Sequence, residues 1–151
     1  MQLIIRKAQR TLELVKQNET VLACRVALGR EPVGAKRMEC DGKTPEGLYT
    51  ICLVKEEGKY GRSLGVSYPN LQDAQAAFAE GRIDERTLAN VQAACEERRR
   101  PPWGSPLGGE IYIHEGGADR DWTQGCIALE TQDMDALFPY WPQVQQVLIL
   151  P

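Results

Sequence analysis

The sequence of 151 residues holds a single histidine, His114. One imidazole excludes the HExxH zinc motif and every site built on two histidines. The five cysteines, Cys24, Cys40, Cys52, Cys95 and Cys126, are spaced 16, 12, 43 and 31 residues apart. No CxxC pair exists, so zinc ribbons and thioredoxin-like redox motifs are excluded. An odd count leaves at least one thiol unpaired within a monomer, and a chain of this length needs no disulfide staples. Free thiols in a reducing compartment are the simpler expectation. There is no basic excess either: 18 Lys and Arg face 21 Asp and Glu, a formal charge of -3. Nucleic acid is therefore not expected as a partner, because binding by counterion release needs clustered cations. The one basic run, Arg98-Arg99-Arg100, follows Glu96 and Glu97 and reads as a solvated helix end. No stretch approaches the roughly 20 apolar residues that span a bilayer. Leu3-Ile4-Ile5 runs at once into Arg6 and Lys7, short of the apolar segment of about 7–15 residues in a signal peptide. As written, the chain carries no membrane span and no export signal, and it reads as cytoplasmic.

Hydrophobic residues make up 42% and charged residues 26%, with 14 glycines and 9 prolines. That composition suits one loop-rich globular domain over residues 1–151. Leu3–Ile5 reads as a short strand, followed by a hairpin with Leu12 and Leu14 on one face of its first arm. Leu22, Cys24, Val26 and Leu28 share a face of its second arm, and Gln17-Asn18-Glu19 supplies the turn. Gly29 to Gly47 reads as a loop, Leu48–Val54 as one strand, and Glu56-Glu57-Gly58 as a polar turn. Asn70 can cap a helix with Ala74, Ala77 and Phe78 on one face, stopped by Gly81. Asp84 can cap a second, with Leu88, Val91 and Cys95 on one stripe, ended by Pro101-Pro102. Ile111–Ile113 reads as a strand that delivers His114 to its end. Thr131 can cap a short helix through Leu137 and Phe138, closed by Pro139, before a last strand over Val147–Leu150. The pattern predicts a mainly β, β-rich α+β domain with a helical insertion around 70–98 and a short helix around 131–138.

His114 and Cys126 lie twelve residues apart, and a glycine directly precedes the cysteine. A thiol with an ordinary pKa near 8.5 is only a few per cent thiolate at neutral pH, so a nucleophilic cysteine needs a base. An imidazole within reach can take the proton and return it to a leaving amine. The Gly125 and Cys126 amides could then meet a developing oxyanion. Taken alone, this spacing does not separate a nucleophile and its base from a structural histidine and a buried thiol.

Several stretches together resemble the catalytic domain of L,D-transpeptidases of the YkuD type, in its small, periplasmic-type branch. The histidine strand end Ile111-Tyr112-Ile113-His114-Glu115-Gly116-Gly117 and the segment Trp122-Thr123-Gln124-Gly125-Cys126-Ile127-Ala128-Leu129 carry the most specific likeness, a Ser/Thr-x-Gly-Cys signature. KTPEGLYTI at 43–51, SYPN at 67–70 and PPWGSPLGG at 101–109 recur in the same order. The likeness runs from Leu3 to Leu150. It implies a β-sandwich of two small sheets with Cys126 as nucleophile, His114 as base and Gly125 contributing backbone to the oxyanion site. Thr123 occupies the Ser/Thr position, where it supports the loop. Trp122, Thr123 and Tyr68 are the substrate-binding candidates, with packing as the competing role for Trp122 and Tyr68. The resemblance implies that a backbone carbonyl, rather than Asp119 or Asp121, holds the second imidazole nitrogen. Two positions depart from the pattern: Gln124 stands where many members have a second histidine, and Ala128 where many have an arginine.

The activity so implied is cysteine-dependent acyl transfer on peptidoglycan stem peptides, in wall biogenesis and cell shape, without metal or organic cofactor. A thioester would be resolved by an amine acceptor to give a cross-link, or by water as in an L,D-carboxypeptidase. The partners implied are donor and acceptor stem peptides, and the compartment is the cell envelope if a signal has been removed. Two other readings stand beside it: a general cysteine peptidase or amidase, and a non-catalytic wall-binding domain with an inert thiol.

Overall fold

The computed structural model describes residues 1–151. Strands β1 (Gln2–Arg6), β2 (Thr11–Lys16), β3 (Glu19–Arg25), β4 (Gly47–Tyr49) and β9 (Gln146–Leu150) form one sheet in the order β3-β2-β1-β9-β4. Strands β5 (Ile51–Lys55), β6 (Ser63–Val66), β7 (Tyr112–Glu115) and β8 (Ile127–Leu129) form the second, in that order. Leu3, Ile5, Leu12, Leu14, Val147 and Ile149 of the first sheet share one apolar cluster with Leu64, Val66, Ile113, Ile127 and Leu129 of the second. The fold is thus the two-sheet, β-rich arrangement that the resemblance implies.

Alternation builds the first sheet. Leu3 and Ile5 in β1 and Leu12 and Leu14 in β2 are fully buried while their neighbours are partly exposed, as a period of two requires of a sheet with one covered face. Gln17 and Asn18 both take positive φ, 50° and 65°, the pair of left-handed residues that a two-residue hairpin turn needs. The chain ends in the middle of this sheet, because β9 lies parallel to β1 on one side and antiparallel to β4 on the other.

The expected strand over Leu48–Val54 is in fact two strands in different sheets. The break falls at Thr50, whose N–H donates to Ser67 Oγ at 2.9 Å while its carbonyl accepts from Ser67 N–H at 2.9 Å. The helices α1 (Leu71–Ala79) and α2 (Glu85–Glu96) form the insertion, capped by Asn70 and Asp84 as predicted. Their buried residues differ in part from the predicted faces: Phe78 is 43% exposed and Cys95 is exposed, and Ala94 joins Val91 inside. α3 (Thr131–Leu137) is capped by Glu130 with no side-chain hydrogen bond, not by Thr131. Pro139 does not end the turn structure, since a 3-10 segment runs through Phe138–Gln143. No helix is long and apolar enough to cross a membrane.

Candidate active site

The registered strands of the second sheet set the site. β5, β6 and β7 align Lys55, Ser63 and His114 in one row, and Leu53, Gly65 and Tyr112 in another. The row between them, Val54, Leu64 and Ile113, points the opposite way, and Leu64 and Ile113 are fully buried in the core. His114 therefore stands on the face away from Ile113, together with Tyr112.

Cys126 sits immediately before β8, which runs parallel to β7. Its loop is clamped from two sides. Residues 27–30 run alongside: Ala27 exchanges both backbone hydrogen bonds with Ala128, Thr123 N–H donates to Leu28 O, and Arg30 N–H donates to Thr123 O. The other side is the segment 42–44, tied to β1 by the buried Lys7. Its Nζ donates to Gly34 O, Thr44 O and Glu46 Oε1. Two glycines make this closeness possible. A Cβ on Gly29 would lie 2.1 Å from Gly42 O, and one on Gly125 would lie 2.6 Å from Lys43 O; Gly125 also has φ of +135°, where a side chain is strained.

The Cys126 sulfur is partly exposed. It accepts from Tyr112 N–H at 3.4 Å, and its S–H donates to Glu110 O at 3.5 Å. Glu110 has φ of 55°, a left-handed backbone that side chains adopt at a cost, found repeatedly at functional sites. His114 is 2% exposed. Its Nδ1 lies on Glu115 O, and since a carbonyl only accepts, Nδ1 carries the proton and Nε2 keeps its lone pair. The ring stacks on Tyr60 at 4.7 Å between centroids and meets Trp122 edge-on at 5.7 Å. Arg62 grips the Glu115 carboxylate and pins the Tyr60 loop to β7.

Burial governs both reactive groups. It pushes the Cys126 thiol above its ordinary value, against smaller opposing pulls from Tyr112 N–H and Lys36. It also pushes the His114 imidazole below its ordinary value, with the Glu115 carbonyl opposing. Desolvation disfavours whichever form is charged, so the resting site holds a neutral thiol and a neutral base.

His114 and Cys126 line one cleft of about 290 Å³, together with Lys55, Lys59, Tyr60 and Tyr112. Cys126 also borders a second hollow of about 240 Å³, with Lys36, Cys40, Trp103, Glu110 and Gln124 on its walls. A larger hollow of about 410 Å³ beside the two insertion helices contains Cys95 but no histidine. No group of three His, Cys, Asp or Glu side chains is placed to hold a metal ion.

The substrate-binding candidates fare differently. Tyr68 is fully buried and donates its hydroxyl to Leu107 O at 2.8 Å, so it packs the core and does not face the cleft. Thr123 is 4% exposed; its Oγ1 donates to Cys126 O at 2.7 Å and accepts from Gly125 N–H at 3.1 Å. It shapes the cysteine loop and is not available to substrate. That bond also occupies the Gly125 amide, whereas the Cys126 N–H has no protein acceptor. Trp122 backs His114 and donates to Gly117 O at 3.0 Å, a packing role rather than a cleft-lining one. Asp121 binds Arg10 and Leu28 N–H, away from the imidazole. Ala128 is fully buried, so no cation enters at that position. Tyr60 was not foreseen from the sequence: it is an isolated aromatic in a polar turn, and only the fold lays it on His114.

The two-sheet domain thus presents a thiol and an imidazole on one cleft. The model of the L,D-transpeptidase catalytic domain family, YkuD, matches residues 2–149, and the chain belongs to that family. The fold is similar to that of the helical cell shape determining protein Pgp2 of Campylobacter jejuni, at a TM-score of 0.67 and 20% identity over 98% of this chain and 46% of that one. It is also similar to Bd1075 of Bdellovibrio bacteriovorus (0.58, 17%, 98% and 46%) and to an L,D-transpeptidase of Xylanimonas cellulosilytica (0.57, 12%, 98% and 59%). The chain spans about half the length of these structures. No curated protein matches it in sequence.

Proposed function

We propose that this domain is a cysteine-dependent acyltransferase acting on peptidoglycan stem peptides. The observation that carries the proposal is the shared cleft of Cys126 and His114 in a chain whose family membership spans nearly its whole length. As substrate enters, Nε2 of His114 takes the thiol proton while sulfur attacks the carbonyl of the diamino acid that precedes the terminal D-alanine. The developing oxyanion falls to the Cys126 N–H, the unoccupied amide of the loop, with Gly125 giving the backbone its shape. The imidazolium then protonates the departing D-alanine amine, leaving a thioester. An amine of a neighbouring stem resolves it to a cross-link, and water resolves it to a trimmed stem. Either outcome alters the wall, consistent with a role in cell shape, and both belong in the cell envelope. Neutral resting groups suit this sequence, since transfer within the pair creates charge only when substrate is present to share it.

Intact-mass spectrometry after incubation with a carbapenem tests the nucleophile, because the strained lactam carbonyl acylates an activated thiol. One adduct on the wild-type protein and none on Cys126→Ala is the expected result. An unmodified wild type would leave the fold without this chemistry. Stem tetrapeptides with and without an amine acceptor then separate cross-linking from trimming.

A further inference from the structure

The cleft on the His114 side of Cys126 has a charge character opposite to that of the whole chain. Lys55 and Lys59 both line it, although the protein is net acidic at -3. Lys55 belongs to the registered row Lys55, Ser63, His114, which places it on the imidazole's own face of the sheet, two strands away. Its Nζ lies 4.7 Å from the centre of the Tyr112 ring, and Tyr112 N–H is the group that touches the sulfur. Lys59 Nζ lies 5.2 Å from the centre of Tyr60, the ring stacked on His114. Each ammonium is thus steadied by an aromatic face that is itself part of the site.

Neither lysine has a carboxylate partner. Lys7 and Lys36, in contrast, are paired with Glu46 and Asp41 and serve the loop architecture. The titratable groups facing Lys55 and Lys59 across the cleft are Tyr60, Glu110, Tyr112, His114 and Cys126. Glu110 is the only carboxylate among them; Glu56 and Glu57, between the two lysines in sequence, do not line the cleft. Two free cations beside a nucleophile form an anion-reading surface, since a ring quadrupole holds an ammonium without using its hydrogen-bond donors. An acceptor amine, cationic at neutral pH, would be repelled here. The cleft therefore favours the peptide that is attacked rather than the amine that attacks.

We infer that Lys55 and Lys59 form a carboxylate-reading subsite that selects anionic donor peptides and seats them against Cys126. The inference rests on the acyl-transfer reading above and adds the residues that determine its substrate.

Calorimetric titration of the Cys126→Ala protein measures the subsite without turnover. The probes are an N-acetylated stem tetrapeptide with free side carboxylates and the same peptide with those carboxylates converted to carboxamides. Lys55→Gln and Lys59→Gln, each at an exposed position, should weaken the carboxylate peptide about tenfold, the worth of one charge-assisted hydrogen bond. Binding of the carboxamide peptide should change less than about twofold. With Cys126 present, KM for the carboxylate peptide should rise by the same factor at unchanged kcat, which shows that His114 keeps its position beneath Tyr60. Equal wild-type affinity for the two peptides, or equal losses on both, would overturn the subsite. A carbapenem adduct on Cys126 with no carboxylate preference sinks the subsite alone. A Cys126 that no acylating probe modifies brings down the acyl-transfer reading, and the subsite with it.

Discussion

The two sheets use burial for different ends. In the five-stranded sheet, β1 alternates between buried and partly exposed residues and β2 follows the same pattern; one face meets the core and the other meets water. In the four-stranded sheet, all of β6 and β8 and the middle of β7 are buried; β6 is interior to the sheet, the 27–30 segment runs along the edge of β8, and α3 packs on β7. The first sheet converts burial into stability. In the second, burial also acts on the proposed reactive pair, since desolvation lowers the His114 pKa and raises that of the Cys126 thiol. The proposed pair thus lies where the alternation of buried and exposed residues is lost.

Removing the base is the most severe way to break this division. His114→Gln should lower the carbapenem acylation rate by about 10²- to 10⁴-fold, the usual worth of general-base catalysis. The residual rate should climb with pH as hydroxide makes the thiolate that the imidazole no longer makes. A variant that acylates at the wild-type rate at pH 7 would show that His114 is structural. The opposite lesion belongs to the first sheet. Leu14 is fully buried in β2, so Leu14→Ala should cost about 2–5 kcal/mol in urea unfolding. The folded fraction should still acylate normally. Loss of both properties together would mean that the sheets do not divide the work.

The same contrast explains what could be read from residues alone. Leu3, Ile5, Leu12 and Leu14 were legible because a sheet covered on one face imprints its period on the chain. His114 and Cys126 were legible as residue types in a motif, without help from periodicity. Tyr68 misled because its neighbours match the cleft-facing motif, while its ring turns inward and its hydroxyl finds Leu107 O. Thr123 keeps the loop-supporting role that its motif position implies, as its hydroxyl closes the cysteine loop on itself. The switch between sheets at Thr50 is set by Ser67, seventeen residues away, and an apolar run carries no mark of such a partner. Phe78 fits the helical stripe of Ala74 and Ala77, which are buried, yet it stays 43% exposed, and helical spacing alone does not mark where the covered stripe ends.

A gentler probe leaves the base in place and changes its surroundings. With the folded imidazole pKa below its ordinary value near 6.5, the acid limb of kcat/KM should have its midpoint below pH 6.5. Activity is present above that midpoint and falls about tenfold per pH unit beneath it, as the base becomes protonated. Trp122→Leu removes the ring that meets the imidazole edge-on and admits water. The midpoint should then move up toward 6.5, with less change in the plateau rate. A midpoint at or above 6.5 in the wild type would refute the desolvated base.

The smallest effect is expected in the helical insertion, a third region with neither duty. Asp84 caps α2 by accepting from Thr87 N–H at 2.7 Å, in an insertion that contributes Val91 and Ala94 to the interior but no wall to the His114 cleft. Loss of one such cap costs about 1 kcal/mol. Asp84→Ala should therefore lower the urea midpoint slightly, while the acylation rate and its acid limb stay at wild-type values. A change in either kinetic quantity would mean that α2 is coupled to the second sheet, and that the division of labour extends through the interior rather than stopping at the walls of the cleft.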